Sequence, residues 1–163
     1  MWQMKSSCER QLSCPNNNGT LIYDPGWVYW DDCVKKTVAY CNKIGWMVDF
    51  GNHADECFFT NPDRTIRISS RRKKENQLYY LLHELGHVLF YLDQRDFGVV
   101  TLGAKKTNNS KSKRVATVVE EMIAWKMGLE LVPALGFMIN RENCDKVMVE
   151  CLQSYFEWAG RKA

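Results

Sequence analysis

No stretch of the 163-residue chain approaches the ~18 consecutive apolar residues of a membrane-spanning helix, so no membrane partner is expected. The opening "MWQMKSSCERQLSCPNNNG" lacks the apolar centre of a secretory signal, which predicts a cytoplasmic protein. Cys-x-x-Cys pairs are missing despite seven cysteines, and this speaks against a zinc ribbon. Seven is an odd number, so at least one thiol is unpaired whatever the connectivity, and without an export signal reduced thiols are expected. A large charge excess is also lacking: the formal net charge of +3 is compatible with a nucleic-acid partner but too weak to require one. Internal repeats are absent.

What is present fits one domain spanning 1–163, long enough to bury a sizeable core without disulfides or a structural metal. Six Trp, seven Tyr and seven Phe give that core an aromatic character. Residues 1–26 carry turn formers ("CPNNNG", "DPG") and little periodicity, and read as an irregular leader. Trp27, Trp30, Val34, Val38 and Cys41 then recur at steps of three and four, predicting a helix closed by Gly45. "WMVDF" (46–50), "CFF" (57–59) and "RTIRISS" (64–70) read as strands, with turn chemistry in "GNHAD" and "NPD" between them. The expected class is therefore α+β, mainly helical, with a small antiparallel sheet of about three strands preceding the next helix.

That helix contains "LYYLLHELGHVLFYLD", residues 78–93, and holds two of the three histidines in the chain. Leu78, Leu82, Leu85, Leu89 and Leu92 form an apolar stripe over about four turns, so the helix belongs to the core. His83 and His87, four residues apart, lie one above the other on one face and can aim two imidazole nitrogens at a single point. Zinc asks for that geometry. Glu84 falls about 100° around the axis, where its carboxylate can take the proton of a water on the metal without being a ligand itself. Zinc lowers the pKa of such a water toward ~7, which makes it a nucleophile for a carbonyl. The bland alternative is a helix with two surface histidines, yet histidines bordering an apolar stripe are expensive to bury unless ligated or hydrogen-bonded. Gly86, mid-helix, costs about 1 kcal/mol relative to Ala and makes sense where something approaches the backbone closely.

A catalytic zinc needs a third protein ligand and an open fourth position. His53 lies in a loop and is a weak source; with Cys57 it has metal-ligand spacing, but no second pair stands out. "VVEEMIAWKMGLEL" offers Glu120 and Glu121. Glu121, Ala124, Trp125 and Gly128 share a helical face, and two of the smallest side chains on it would let the helix close on Gly86, carrying Glu121 to the histidines. Glu120, about 100° away, is the alternative ligand, and an exposed acidic pair at a helix N-terminus is the reading without a metal. This helix is predicted from about Val115 to Leu131, after a mobile loop over 94–115, and a last amphipathic helix from about Glu142 to Trp158. Cys33, Cys144 and Cys151 fall in predicted helices as small core residues.

A basic-polar lead-in, "LLHELGHVLF", a loop and then "EEMIAW" with an E-x-x-A pattern together resemble zincin-like metallopeptidases of the gluzincin kind. The nearest groups are the ImmA/IrrE-type peptidases and small phage-encoded relatives, in which a short strand precedes the H-E-x-x-H helix as "TIRISS" does here. The likeness covers roughly residues 26–131 and departs at Trp125, near which ImmA-like relatives usually carry a small polar residue. It implies zinc ligands His83, His87 and Glu121, Glu84 as general base, a protein or peptide substrate, and host cytoplasm if the chain is phage-encoded. It also implies a cleft bordered by an edge strand, at about Thr65 to Ser69, that binds an extended peptide by strand addition. Two further functions compete. The basic segments 71–74 and 105–114 could contact nucleic-acid phosphates in a regulatory zinc protein, although no aromatic residues are interleaved with the lysines. A zinc-bound scaffold without activity would gain nothing obvious from Glu84.

Overall fold

The structure, a computed structural model, describes residues 27–52, 58–60, 62–93 and 110–161. The expected leader, His53 and Cys57 lie outside these residues, as does most of the expected loop, 94–109.

Helix α1 (Trp27–Lys43) buries Trp30, Cys33, Val34, Thr37 and Cys41 along one side, with Val38 packed at its border. It ends where Gly45 takes a φ of 81°, the left-handed conformation that costs glycine nothing, and Trp46 N–H turns back to the Cys41 carbonyl at 2.9 Å. Trp46 thereby enters the core and the chain leaves as strand β1 (Met47–Gly51).

Strands β2 (Phe58–Thr60) and β3 (Thr65–Ser69) complete a three-stranded sheet in the order β1-β3-β2. β2 runs antiparallel to β3, whereas β1 pairs with β3 in parallel, Met47 opposite Thr65 and Gly51 opposite Ser69. The expectation of an antiparallel sheet is thus corrected to a mixed one within an α+β fold. β2 is three residues long and offers little ladder to a five-residue neighbour. β3 carries Ile66 and Ile68, both fully buried, and takes the centre, where both of its edges are paired. The expected edge at Thr65 to Ser69 is corrected by the same fact: the sheet's edges are β1 and β2.

Helix α2 (Lys74–Leu92) follows β3 directly, its first turn tied down by Gln77 Nε2, which donates to the carbonyls of Ser70 (3.2 Å) and Arg72 (2.7 Å). Leu78, Leu81, Leu82, Leu85 and Val88 are fully buried against α1 and the sheet, but the apolar stripe fades at the far end, where Leu92 is 47% exposed. Helix α3 (Lys111–Glu130) starts earlier than the sequence pattern predicts. The Ser110 side chain caps it by accepting from Lys113 N–H at 3.3 Å, so residues 111–115 are helix rather than loop. Its buried face is Arg114, Val118, Glu121, Ala124, Trp125 and Gly128. Helix α4 (Arg141–Gly160), capped by Asn140, packs on α3 and α2. Among the described residues no helix is long and apolar enough to cross a membrane. Among the described residues Cys33, Cys41, Cys144 and Cys151 form no disulfide, and burial pushes Cys41 up to about 12.

Candidate metal centre

Two glycines set the distance between α2 and α3. A methyl group on Gly86 would overlap the backbone carbonyl of Ala124, and one on Gly128 would overlap that of Leu82. The two backbones therefore touch in a reciprocal way, and side chains on the facing surfaces are brought within reach of one another. Glu121 lies three residues, almost one turn, before Ala124, and His83 and His87 flank Gly86 on α2.

The result is a buried cluster of His83, His87 and Glu121 whose ligand atoms all lie within 4.8 Å of one another, an arrangement that could hold a metal ion. Glu121 Oε2 stands 3.1 Å from His83 Nε2 and 3.4 Å from His87 Nε2. These are contact lengths, yet Oε2 has no aligned hydrogen-bond donor. The two imidazole nitrogens and the carboxylate oxygen thus lie near one another in one buried region, a spacing compatible with ligands of a shared cation. Burial raises the Glu121 carboxyl pKa, but the two imidazoles outweigh it and hold the group down at about 2. Burial pushes His83 below the usual imidazole value despite Glu121. The same burial acts on His87 but is outweighed by the carboxylates of Glu121, Glu84 and Glu120, so His87 is raised.

Glu84 is buried on the same helix, close enough to His87 to contribute to that rise. Glu120 is 49% exposed, its carboxylate 3.9 Å from His87 Nδ1, and it stands outside the three-residue cluster. Trp125, one turn after Glu121, lies against His83 with ring centroids 4.5 Å apart and planes inclined by 24°.

One residue at this site escapes the sequence reading. The Tyr155 phenol, on α4, lies near enough to Glu121 and Glu84 to feel their charge: its pKa is raised by burial and then by these two carboxylates. The only signal for it is helical phase: Cys144, Val147, Cys151 and Tyr155 step by three or four along the inward face of α4.

Three residues of the basic segments make contacts within the fold. Arg72 lies over the Tyr80 ring at 4.1 Å, and Lys74 pairs with Asp31 at 3.5 Å. Arg114 is buried and donates to the carbonyls of Trp158 and Arg161 at the end of α4. These contacts anchor helix ends, and the lysines at 105 and 106 lie outside the described residues. Comparison with family models, with curated proteins and with solved structures finds no match to this chain.

Proposed function

We propose that the chain is a zinc-dependent peptidase of zincin-like type, with His83, His87 and Glu121 as the metal ligands and Glu84 as the general base. The observation that carries this reading is the convergence of the three buried ligand atoms within 4.8 Å, with a fourth ionisable group, Glu84, buried beside them. The donor set fits zinc: two imidazoles and one carboxylate are a set that zinc accepts in hydrolytic sites. Bound there, the ion would supply Lewis acidity, acidifying a water and polarising the carbonyl under attack.

Everything else falls to the chain's own side chains. Glu84 accepts the proton of the attacking water and delivers it to the departing amine, so its carboxylate begins and ends the cycle ionised. Tyr155 keeps its proton, because burial and the neighbouring carboxylates raise its pKa. The seam between α2 and α3 fixes the ligands before substrate arrives, so the site needs no rearrangement to form.

Two substitutions divide this reading from a structural metal. Glu121→Ala should abolish bound zinc by elemental analysis of the purified protein. Glu84→Gln should retain the zinc and lower hydrolysis of a labelled protein substrate by roughly 10²–10⁴-fold, the range that general base catalysis contributes. Zinc retained without Glu121, or unimpaired hydrolysis without the Glu84 carboxylate, would refute the assignment.

A further inference from the structure

A metal-ligating histidine ordinarily donates its second ring nitrogen to a carboxylate, a carbonyl or a water, and that bond fixes the plane of the ring. His83 departs from this pattern: its Nε2 faces Glu121, and its Nδ1 is buried with no hydrogen-bond partner among the described residues. The contact it does make is with an aromatic face. Trp125 is 1% exposed and nearly parallel to the imidazole at 4.5 Å. It is itself clamped in a small cluster with Tyr79, Cys144 and Val147, so the indole cannot swing away. Because Trp125 follows Glu121 by four residues, one turn of α3 delivers both the carboxylate and the stacking face.

We propose that Trp125 is a positioning residue of the metal centre, holding the His83 imidazole by face-to-face stacking where a hydrogen bond to Nδ1 would usually do so. The proposal rests on the metal-site reading above. Stacking restrains the tilt of the ring but leaves Nδ1 without an acceptor, so His83 is a less basic ligand than a hydrogen-bonded imidazole. His87 differs in having the Glu120 carboxylate 3.9 Å from its Nδ1, a charge nearby but beyond hydrogen-bond length.

The test uses cobalt(II) as the probe, titrated into the full chain after chelator treatment and followed by its visible absorption bands. Wild type is expected to bind one equivalent and Glu121→Ala none. Trp125→Leu, which removes the flat face, should bind roughly 10–100-fold more weakly with shifted bands, and Trp125→Phe, which keeps a face, should restore most of the affinity and the wild-type spectrum. Absence of cobalt binding in wild type, or binding by Glu121→Ala equal to wild type, removes the metal site and this proposal with it. Binding by wild type, loss in Glu121→Ala, and unchanged affinity and bands in Trp125→Leu overturn the role of Trp125 alone. If the leucine variant does not fold, wild-type tryptophan emission decides: saturating cobalt should quench up to about one-sixth of it, the share of one among six Trp, and no quenching overturns the stacked geometry.

Discussion

Helix α2 has two sides that obey different rules. Toward α1 and the sheet it presents Leu78, Leu81, Leu82, Leu85 and Val88, all fully buried in one apolar cluster with Trp46, Ile66 and Ile68. Toward α3 it presents Gly86 and a run of buried polar groups, His83, Glu84 and His87, against Glu121. The apolar side is held by burial, which is non-directional and tolerates changes that preserve volume. The polar side gains little from burial, because desolvating charged groups offsets most of what their pairing returns. Its geometry is set by backbone contact at two glycines. Stability and site geometry are thus assigned to opposite faces of one helix.

The sharpest way to break that division is Gly86→Val. The new side chain has no space, because even its Cβ would overlap the Ala124 backbone, so α2 and α3 must separate. Stability should fall by about 3 kcal/mol or more, a drop on the order of 10 °C in the thermal midpoint for a chain of this size. The fraction that stays folded should carry no zinc. Thermal unfolding beside elemental analysis checks both, and a variant retaining one equivalent of zinc would show that the seam does not position the ligands. A much smaller loss is expected on the apolar side, from Ile66→Val in the centre of the sheet. Deleting one methylene there should cost about 0.5–1.5 kcal/mol and leave zinc content and turnover per folded molecule unchanged. A drop in zinc content with that substitution would mean that the two sides are coupled.

The same division explains which features were legible in the sequence. The α2 stripe and the His83, Glu84, His87 spacing repeat with helical period and need no knowledge of the rest of the chain. The approach of Glu121 could be reasoned from Gly86 and Gly128 because a helix seam of small residues has few ways to close. Strand pairing was not legible: whether β1 lies beside β2 or β3 depends on competition among edges far apart in sequence, and a two-residue periodicity carries no direction. The start of α3 was misread because "SKSKR" resembles a loop in composition, whereas the capping serine makes it a helix entrance. Tyr155 stands 34 residues beyond Glu121 on a helix whose packing alone brings it to the site, and no local spacing announces that.

The smallest effect concerns pH, and it separates metal-free from zinc-loaded protein. Without metal, the two imidazoles act in opposite directions. His83, lowered below 6.5 by burial, adds stability that is present above 6.5 and lost as pH falls through its folded value. His87 is raised above 6.5 because Glu121, Glu84 and Glu120 overcome its burial, so its contribution is full below 6.5 and lost as pH rises through the raised value. Above pH 6.5 His83 has no further contribution to lose, so the chelator-treated protein loses stability at these two sites as pH rises through the raised value of His87. Glu121, held at about 2 against an ordinary 4.5, contributes an acid limb only, lost as pH falls from 4.5 toward 2. Zinc at the proposed site would change the picture, because it requires an unprotonated His87 and the loaded protein would release a proton that the metal-free fold retains. Its stability should climb from about pH 6 to 8, whereas the metal-free protein should lose stability as pH rises above 6.5. Urea unfolding across that range, with chelator and with one equivalent of zinc, compares the two directly. Parallel slopes would mean that zinc does not displace the His87 proton, and that the ligand set includes a group other than this imidazole.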